Sequence, residues 1–273
     1  MGAAAKLTLH RAYTRCRYGQ MHYREAGPHS PTAPTLVLLH QNPSSSYEYE
    51  LLMEALATDR RVIAFDTPGY GMSDAPPAPL DMADYAASFS DAIDNLGIEG
   101  TIDVYGFHTG ALLTIELALL RSDKVRRIAL TGIPMYPPDK RADLLKQAKD
   151  RPENDEAGTV ILSMLSRLWN YVVVQRDKRV SLERSIRAFA DKAWVLDRAS
   201  WAYQGVWSYD YTRLPRLTTP SLLVQPDEQL LEASLAAAKL IPNITIRRLP
   251  DLNRDIFEFA QEKIAHELHH FFN

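Results

Sequence analysis

Residues 103 to 113 read DVYGFHTGALL, with His108 standing between Gly106 and Gly110. An apolar run that ends in Gly-x-His-x-Gly and continues as a helical pattern describes a strand turning sharply into a helix. The glycines suit that turn because a side chain at either place would collide with the neighbouring strand or helix. The residue at the tip of so tight a turn, at a helix amino terminus, is expected to be strained, and such strain concentrates at functional sites. An imidazole titrates ordinarily at about 6.5, suited to general acid or base work, and the helix amino terminus disfavours its charged form. His108 is therefore the first candidate for chemistry.

Two other groups need weighing. Ser44, Ser45, Ser46 and Ser73 offer hydroxyls, but none has a base at a matching motif position. HELHH at 266–270 has the zinc-protease spacing, with His266 and His270 one helical turn apart and Glu267 as the base. No third ligand follows it, and Leu268, Phe271 and Phe272 supply the apolar face of an ordinary terminal helix. No metal site and no cofactor are expected.

Positioning His108 requires buried strands alternating with helices. The 273 residues, 46% hydrophobic and 24% charged, suffice for one globular unit with a large core. TLVLLH (35–40), RVIAFD (61–66), TIDVYG (101–106), VRRIALTG (125–132) and PSLLVQ (220–225) read as strands of a mostly parallel, twisted α/β sheet flanked by helices. Their carboxyl ends would line the active face. Residues 135–210 break the alternation: Ile186, Phe189, Ala190, Ala193 and Trp194 follow a helical period, and Trp169, Trp194, Trp201 and Trp207 all fall here. This predicts a helical cap inserted between core segments 1–134 and 211–273, its tryptophans walling an apolar pocket or filling the cap's own core. The proline-rich DAPPAPLD (74–81) reads as a surface loop.

Charge narrows the partners. A net charge of −3, from 31 basic and 34 acidic residues without long single-sign blocks, offers no general attraction to nucleic acid or an anionic membrane. A pocket for a small molecule is expected instead, and the oligomeric state stays open. The single cysteine, Cys16, excludes an internal disulfide framework, and no apolar run is long enough to span a bilayer. MGAAAKLTLH has no apolar signal-peptide core, and Lys6 stands where myristoylation wants Ser or Thr, so a cytoplasmic protein is expected.

LLHQNPSSSYEY, FDTPGYGMSD, VYGFHTGALLTIELA and the closing IPNITIRRLPDLNRDIFEFAQEKIAHELHHFF, in that order, resemble the α/β-hydrolase fold over nearly the whole chain. The resemblance implies an oxyanion hole after the third strand, where the family's His-Gly-x-Pro is here His40-Gln41-Asn42-Pro43, with N–H groups from Asn42 and Thr109. It places His40, Gln41 and Tyr105 beside the substrate, and makes Asp66, Gly69 and Gly71 structural. It also exposes losses: His108 replaces the family's serine or aspartate, and Arg254 aligns with the catalytic histidine. Gln229 aligns with the acid, leaving Asp227 and Glu228 as displaced candidates. HQNPSSSYEY is similar to the loop of haloalkane dehalogenases in which an asparagine helps hold halide, but those enzymes need an aspartate at position 108.

No Ser-His-Asp relay assembles from these residues, and triad members act as a unit. The leading expectation is a non-serine enzyme site in which His108, Arg254 and Glu228 act on a small, largely apolar substrate, by hydrolysis or carbon–carbon lyase or decarboxylase chemistry. Glu228 would orient His108 or pair with Arg254. A second expectation is a silent member of the fold that binds a ligand or protein partner, and a third is a metallohydrolase on the terminal helix.

Overall fold

The computed structural model describes residues 8–28 and 33–273. The readings of the amino terminus that rest on residues 1–7 lie outside the described residues.

Eight strands form one sheet in the order β1-β2-β4-β3-β5-β6-β7-β8. They are β1 (His10–Cys16), β2 (Gly19–Ala26), β3 (Thr35–Leu39), β4 (Val62–Phe65), β5 (Ile102–Phe107), β6 (Val125–Thr131), β7 (Ser221–Pro226) and β8 (Ile244–Leu249). β1 and β2 pair antiparallel, as do β2 and β4, and the rest are parallel. The five strands expected from apolar runs are present. β1, β2 and β8 carry no such run: β1 and β8 are sheet edges, and β2, next to the edge, is only half buried and interleaves His22, Arg24 and Glu25 with its apolar residues; β8 is exposed over most of its length and holds Arg247 and Arg248.

The sheet has a core on each face. Along β3, Leu36 and Leu38 pack into one and Val37 and Leu39 into the other, the period of two that a doubly covered strand requires. Helix α1 (Glu50–Leu56) lies on the first face, and α2 (Met82–Asn95) and α3 (Thr109–Leu120) lie on the second. Asp81 caps α2 by accepting from the Asp84 N–H at 2.8 Å. Ten of the twelve residues of α3 are buried, so this helix has no polar face.

Between β6 and β7 lie α4 (Pro138–Lys149), α5 (Thr159–Trp169), α6 (Leu182–Ala193) and α7 (Ser200–Ser208). No residue of α4 or α5 is buried: one side of each faces a cavity and the other faces solvent. After β7 come α8 (Leu231–Ala238), α9 (Ile256–Phe259) and α10 (Gln261–Phe272). α10 buries Ile264, Ala265, Leu268 and Phe272 on the sheet and leaves His266 and His270 outside, while Glu267 pairs with Arg247 at 2.9 Å. Among the described residues no helix is long and apolar enough to cross a membrane.

This topology fixes where a site can form. β3 has β4 on one side and β5 on the other, so the chain leaves the carboxyl ends of β3 and β5 in opposite directions and opens a crevice. The loop after β3 and the turn after β5 bound it.

Candidate active site

The turn from β5 into α3 is as tight as its glycines suggest. A Cβ on Gly106 would strike the Gly110 carbonyl, and one on Gly110 would strike the Leu39 carbonyl of the adjacent strand. His108 between them has φ 52° and ψ −110°, a conformation costly for a residue with a side chain. Its N–H donates to the Thr131 carbonyl at 2.8 Å and its carbonyl accepts from Ala111 at 2.9 Å, so both neighbouring elements hold the strain.

The imidazole lies flat against Phe107, with ring centroids 4.0 Å apart. Its Nε2 stands 3.4 Å from Glu228 Oε2, the side chains being 17% and 7% exposed, an ion-pair contact whose angles fall short of a hydrogen bond. Gly132, with φ 73°, floors the pair; a Cβ there would run into the imidazole and approach Glu228. Glu228 also accepts from the Leu230 N–H at 3.0 Å and the Gln225 side-chain amide at 3.2 Å. Burial pushes this carboxyl upward, but His108 and those donors outweigh it, and Glu228 titrates below the ordinary glutamate range.

Of the displaced acids, Glu228 is the one that meets His108. Asp227 turns away to Arg248. Arg254 lines the same cavity but is held at its rim: its guanidinium donates to Asp255 at 3.1 Å and to the Tyr171 carbonyl at 2.7 Å, and sits over the Tyr171 ring.

The loop after β3 is clamped from above. Asn42 Nδ2 donates to the Ala199 carbonyl at 2.8 Å, and the Tyr203 hydroxyl donates to the Asn42 carbonyl at 2.6 Å. Burial pushes the Tyr203 phenol up to about 12, so it remains a donor. Lys192 Nζ donates to the Pro43 carbonyl and Ser44 Oγ, both at 3.0 Å, and Ser45 Oγ donates to Asp191 at 2.5 Å. Asn42 and Thr109, the expected oxyanion donors, both line the cavity beside His108. Thr109 opens α3, where the first N–H groups have no partner within the helix. One of the two N–H groups of the Asn42 amide, the side chain implied as a halide contact by the dehalogenase-like loop, is spent on the Ala199 carbonyl.

Two lobes meet at His108. One, of about 370 Å³, lies towards Glu228 and Arg254; the other, of about 1030 Å³, lies under α4, α5 and α7. Gln41, Tyr171, Lys192 and Gln229 border both.

Several expected substrate contacts are corrected by packing. His40 is buried with both ring nitrogens engaged, by the Gln41 carbonyl at 2.6 Å and the Thr67 N–H at 2.9 Å, so it braces the loop rather than facing the cavity. Tyr105 is buried on the α10 side of the sheet, with its hydroxyl 3.0 Å from Thr131 Oγ1. Trp194 is 68% exposed, Trp169 packs edge-on against Phe189 on the outside of α5, and neither these nor Trp201 walls a lobe. Trp207 does wall the larger lobe, stacked with Tyr203 and Tyr136. Tyr203 and Trp207 are four residues apart on α7, a readable signal for a shared helix face; Lys192 and Tyr171 carry no comparable signal in the sequence.

The chain matches the family described as alpha/beta hydrolase fold over residues 34–257. It is 29% identical over 122 residues to haloalkane dehalogenase 2 of Mycobacterium bovis, a match covering 44% of this chain and 41% of that one. It is 29% identical over 139 residues to bifunctional epoxide hydrolase 2 of Mus musculus, covering 49% of this chain and 24% of the relative. The aligned stretch thus spans less than half of either curated relative. The enol-lactonase structure from Burkholderia xenovorans LB400 superposes with a TM-score of 0.76 at 19% identity, covering 95% of this chain and 99% of that one.

Proposed function

The chain belongs to the α/β-hydrolase fold family, and from that premise we propose that it is a hydrolase of small carbonyl substrates in which His108 is a general base rather than a covalent nucleophile. The observation that carries this reading is the strained His108 at the cavity waist with Nε2 turned to the buried Glu228 carboxylate. A carboxylate facing Nε2 keeps the proton on that nitrogen and leaves Nδ1 with the lone pair. Nδ1 then takes a proton from water as the water oxygen attacks the carbonyl carbon. The carbonyl π electrons move onto oxygen, where the amides of Asn42 and Thr109 receive the charge. As the tetrahedral species collapses, the imidazolium returns the proton to the leaving oxygen, giving acid and alcohol. Arg254, fixed by Asp255 and the Tyr171 carbonyl, contributes a permanent cation at the rim.

Carbon–carbon lyase or decarboxylase chemistry would draw on the same base and donors without consuming water; the hydrolytic reading is favoured by the similarity to an epoxide hydrolase and a haloalkane dehalogenase, whose names describe reactions with water. A silent, ligand-binding protein is the remaining alternative. The test is hydrolysis of short and medium p-nitrophenyl esters in H₂¹⁸O, wild type beside His108→Ala. Turnover with one label in the acid product, reduced about 10²–10⁴-fold by the substitution, is expected for a general base. Equal rates for the two proteins would sink the reading, and turnover of non-ester substrates without label would replace it with lyase chemistry.

A further inference from the structure

We infer that the substrate is an anion: a flat or chain-like apolar body bearing a carboxylate at the end remote from the scissile bond, held in the larger lobe. The orientation relative to the scissile bond rests on the reading of His108 as the reacting centre, whereas the charge preference rests on the cavity alone.

The two lobes have opposite charge. The larger is lined by Lys140, Arg151, Arg167 and Lys192 and, among the described residues, by no carboxylate. The smaller is lined by Glu48, Asp191, Asp227, Glu228, Asp255 and Glu258 against Lys192 and Arg254. Lys192 shares its field with the neighbouring Asp191 carboxylate, but the other three cations of the larger lobe are not paired from behind. Lys192 and Arg151 donate to carbonyl and hydroxyl oxygens, Lys140 lies 3.4 Å from the Tyr136 ring centroid, and among the described residues none of the four forms an ion pair. A cleft lined by one sign with low-dielectric walls focuses the field, so a carboxylate gains in the larger lobe and is repelled from the smaller. An anion therefore enters in a single direction; a neutral molecule receives no such instruction.

The walls fit the rest of the molecule. Trp207 stacks between Tyr203 and Tyr136, with centroids 5.9 and 5.8 Å away, and Val160, Met164 and Leu168 repeat every four residues along the cavity side of α5. The volume of about 1030 Å³ is that of a site for a ligand of drug-like size. Lys140 and Arg167 are exposed, where they can meet a carboxylate before it is desolvated.

The test uses two probes that differ only in charge, 6-phenylhexanoate and 6-phenylhexanamide, titrated calorimetrically into the full chain. The acid is expected to bind about tenfold or more tightly than the amide at low ionic strength, with the gap narrowing as salt screens it. A Lys140→Gln/Arg167→Gln double variant, altered only at exposed positions, should erase the gap. Equal affinity, tighter binding of the amide, binding of neither probe, or a gap that survives the double variant each overturns the inference. Because binding is read without turnover, hydrolysis is scored separately with mono-p-nitrophenyl suberate and p-nitrophenyl octanoate. Tight acid binding with neither ester hydrolysed would keep the anion site and remove the ester-hydrolase reading, while turnover of the neutral ester alone would do the reverse.

Discussion

His22 and His108 each face a carboxylate, at 2.8 Å from Asp66 and 3.4 Å from Glu228. The first pair is sealed between β2 and the loop after β4, and Asp66 also accepts the N–H groups of Ser46 at 2.7 Å and Met72 at 2.9 Å. Its geometry is saturated, and no substrate atom has room to enter. The second pair opens on a cavity, its imidazole presented by a strained backbone and its carboxylate held by neighbours on the far side. The same two residue types thus make a brace in one place and a candidate base in the other. Saturation of the hydrogen bonds and access to the cavity decide which.

Removing Asp66 should break the brace most severely. Asp66→Ala leaves a buried imidazole and two amides without their acceptor, a change expected to cost about 3–5 kcal/mol in urea unfolding. The pH dependence sharpens this. Burial raises the Asp66 carboxyl, but His22 and the donors around it bring it below the ordinary aspartate value. Its contribution is therefore complete above the unfolded value of about 3.9 and fades only as pH falls through the lower folded value. The wild-type advantage over Asp66→Ala should stay constant above about pH 3.9 and shrink as pH falls from there through the folded value.

His108→Ala should show the opposite pattern, with activity lost and unfolding shifted by less than about 1 kcal/mol, since a strained, partly exposed residue is being removed. A large stability loss would make the two pairs alike and end the contrast. Glu228→Gln keeps the shape but removes the negative charge 3.4 Å from the imidazole, and the loss of such an orienting carboxylate should lower steady-state turnover roughly ten- to hundredfold. Gly132→Ala forces a side chain under the imidazole at a positive φ, and a loss of about 1–3 kcal/mol in thermal or chemical unfolding is expected together with reduced turnover. Its counterpart beneath the brace, Gly71, packs against Asp66 in the same way.

Much of this was legible in the sequence because it depends on short-range rules. Apolar runs located the central strands, the Gly-x-His-x-Gly spacing located the turn, and the identity of residue 108 by itself removed the ordinary nucleophile. The helical period from Ile186 to Trp194 was also readable and falls on α6, since it follows from the geometry of one helix. The edge strands were not, because β8 buries little and its arginines obscure the alternation.

Side-chain destinations were another matter. Sequence alone offered Asp227 and Glu228 as displaced acids and took Glu228 for the site without settling its partner; Arg248, from the neighbouring strand β8, draws Asp227 away, while Gln225 and Leu230 fix Glu228 towards His108. It likewise left Tyr105 beside the nucleophile position, where the pleat of β5 sends it to the opposite face of the sheet. Four tryptophans in one segment could not be told apart until α7 was placed against the cavity and α5 turned Trp169 outward. The separation of charge between the lobes arises in the same way, with the acids of the smaller lobe gathered from as far apart as Glu48 and Glu258 and the cations of the larger from between Lys140 and Lys192. Local sterics and periodicity fix which elements form and where the backbone turns. The direction of a side chain and the charge of a cavity depend on contacts between elements distant in sequence, and only their packing decides them.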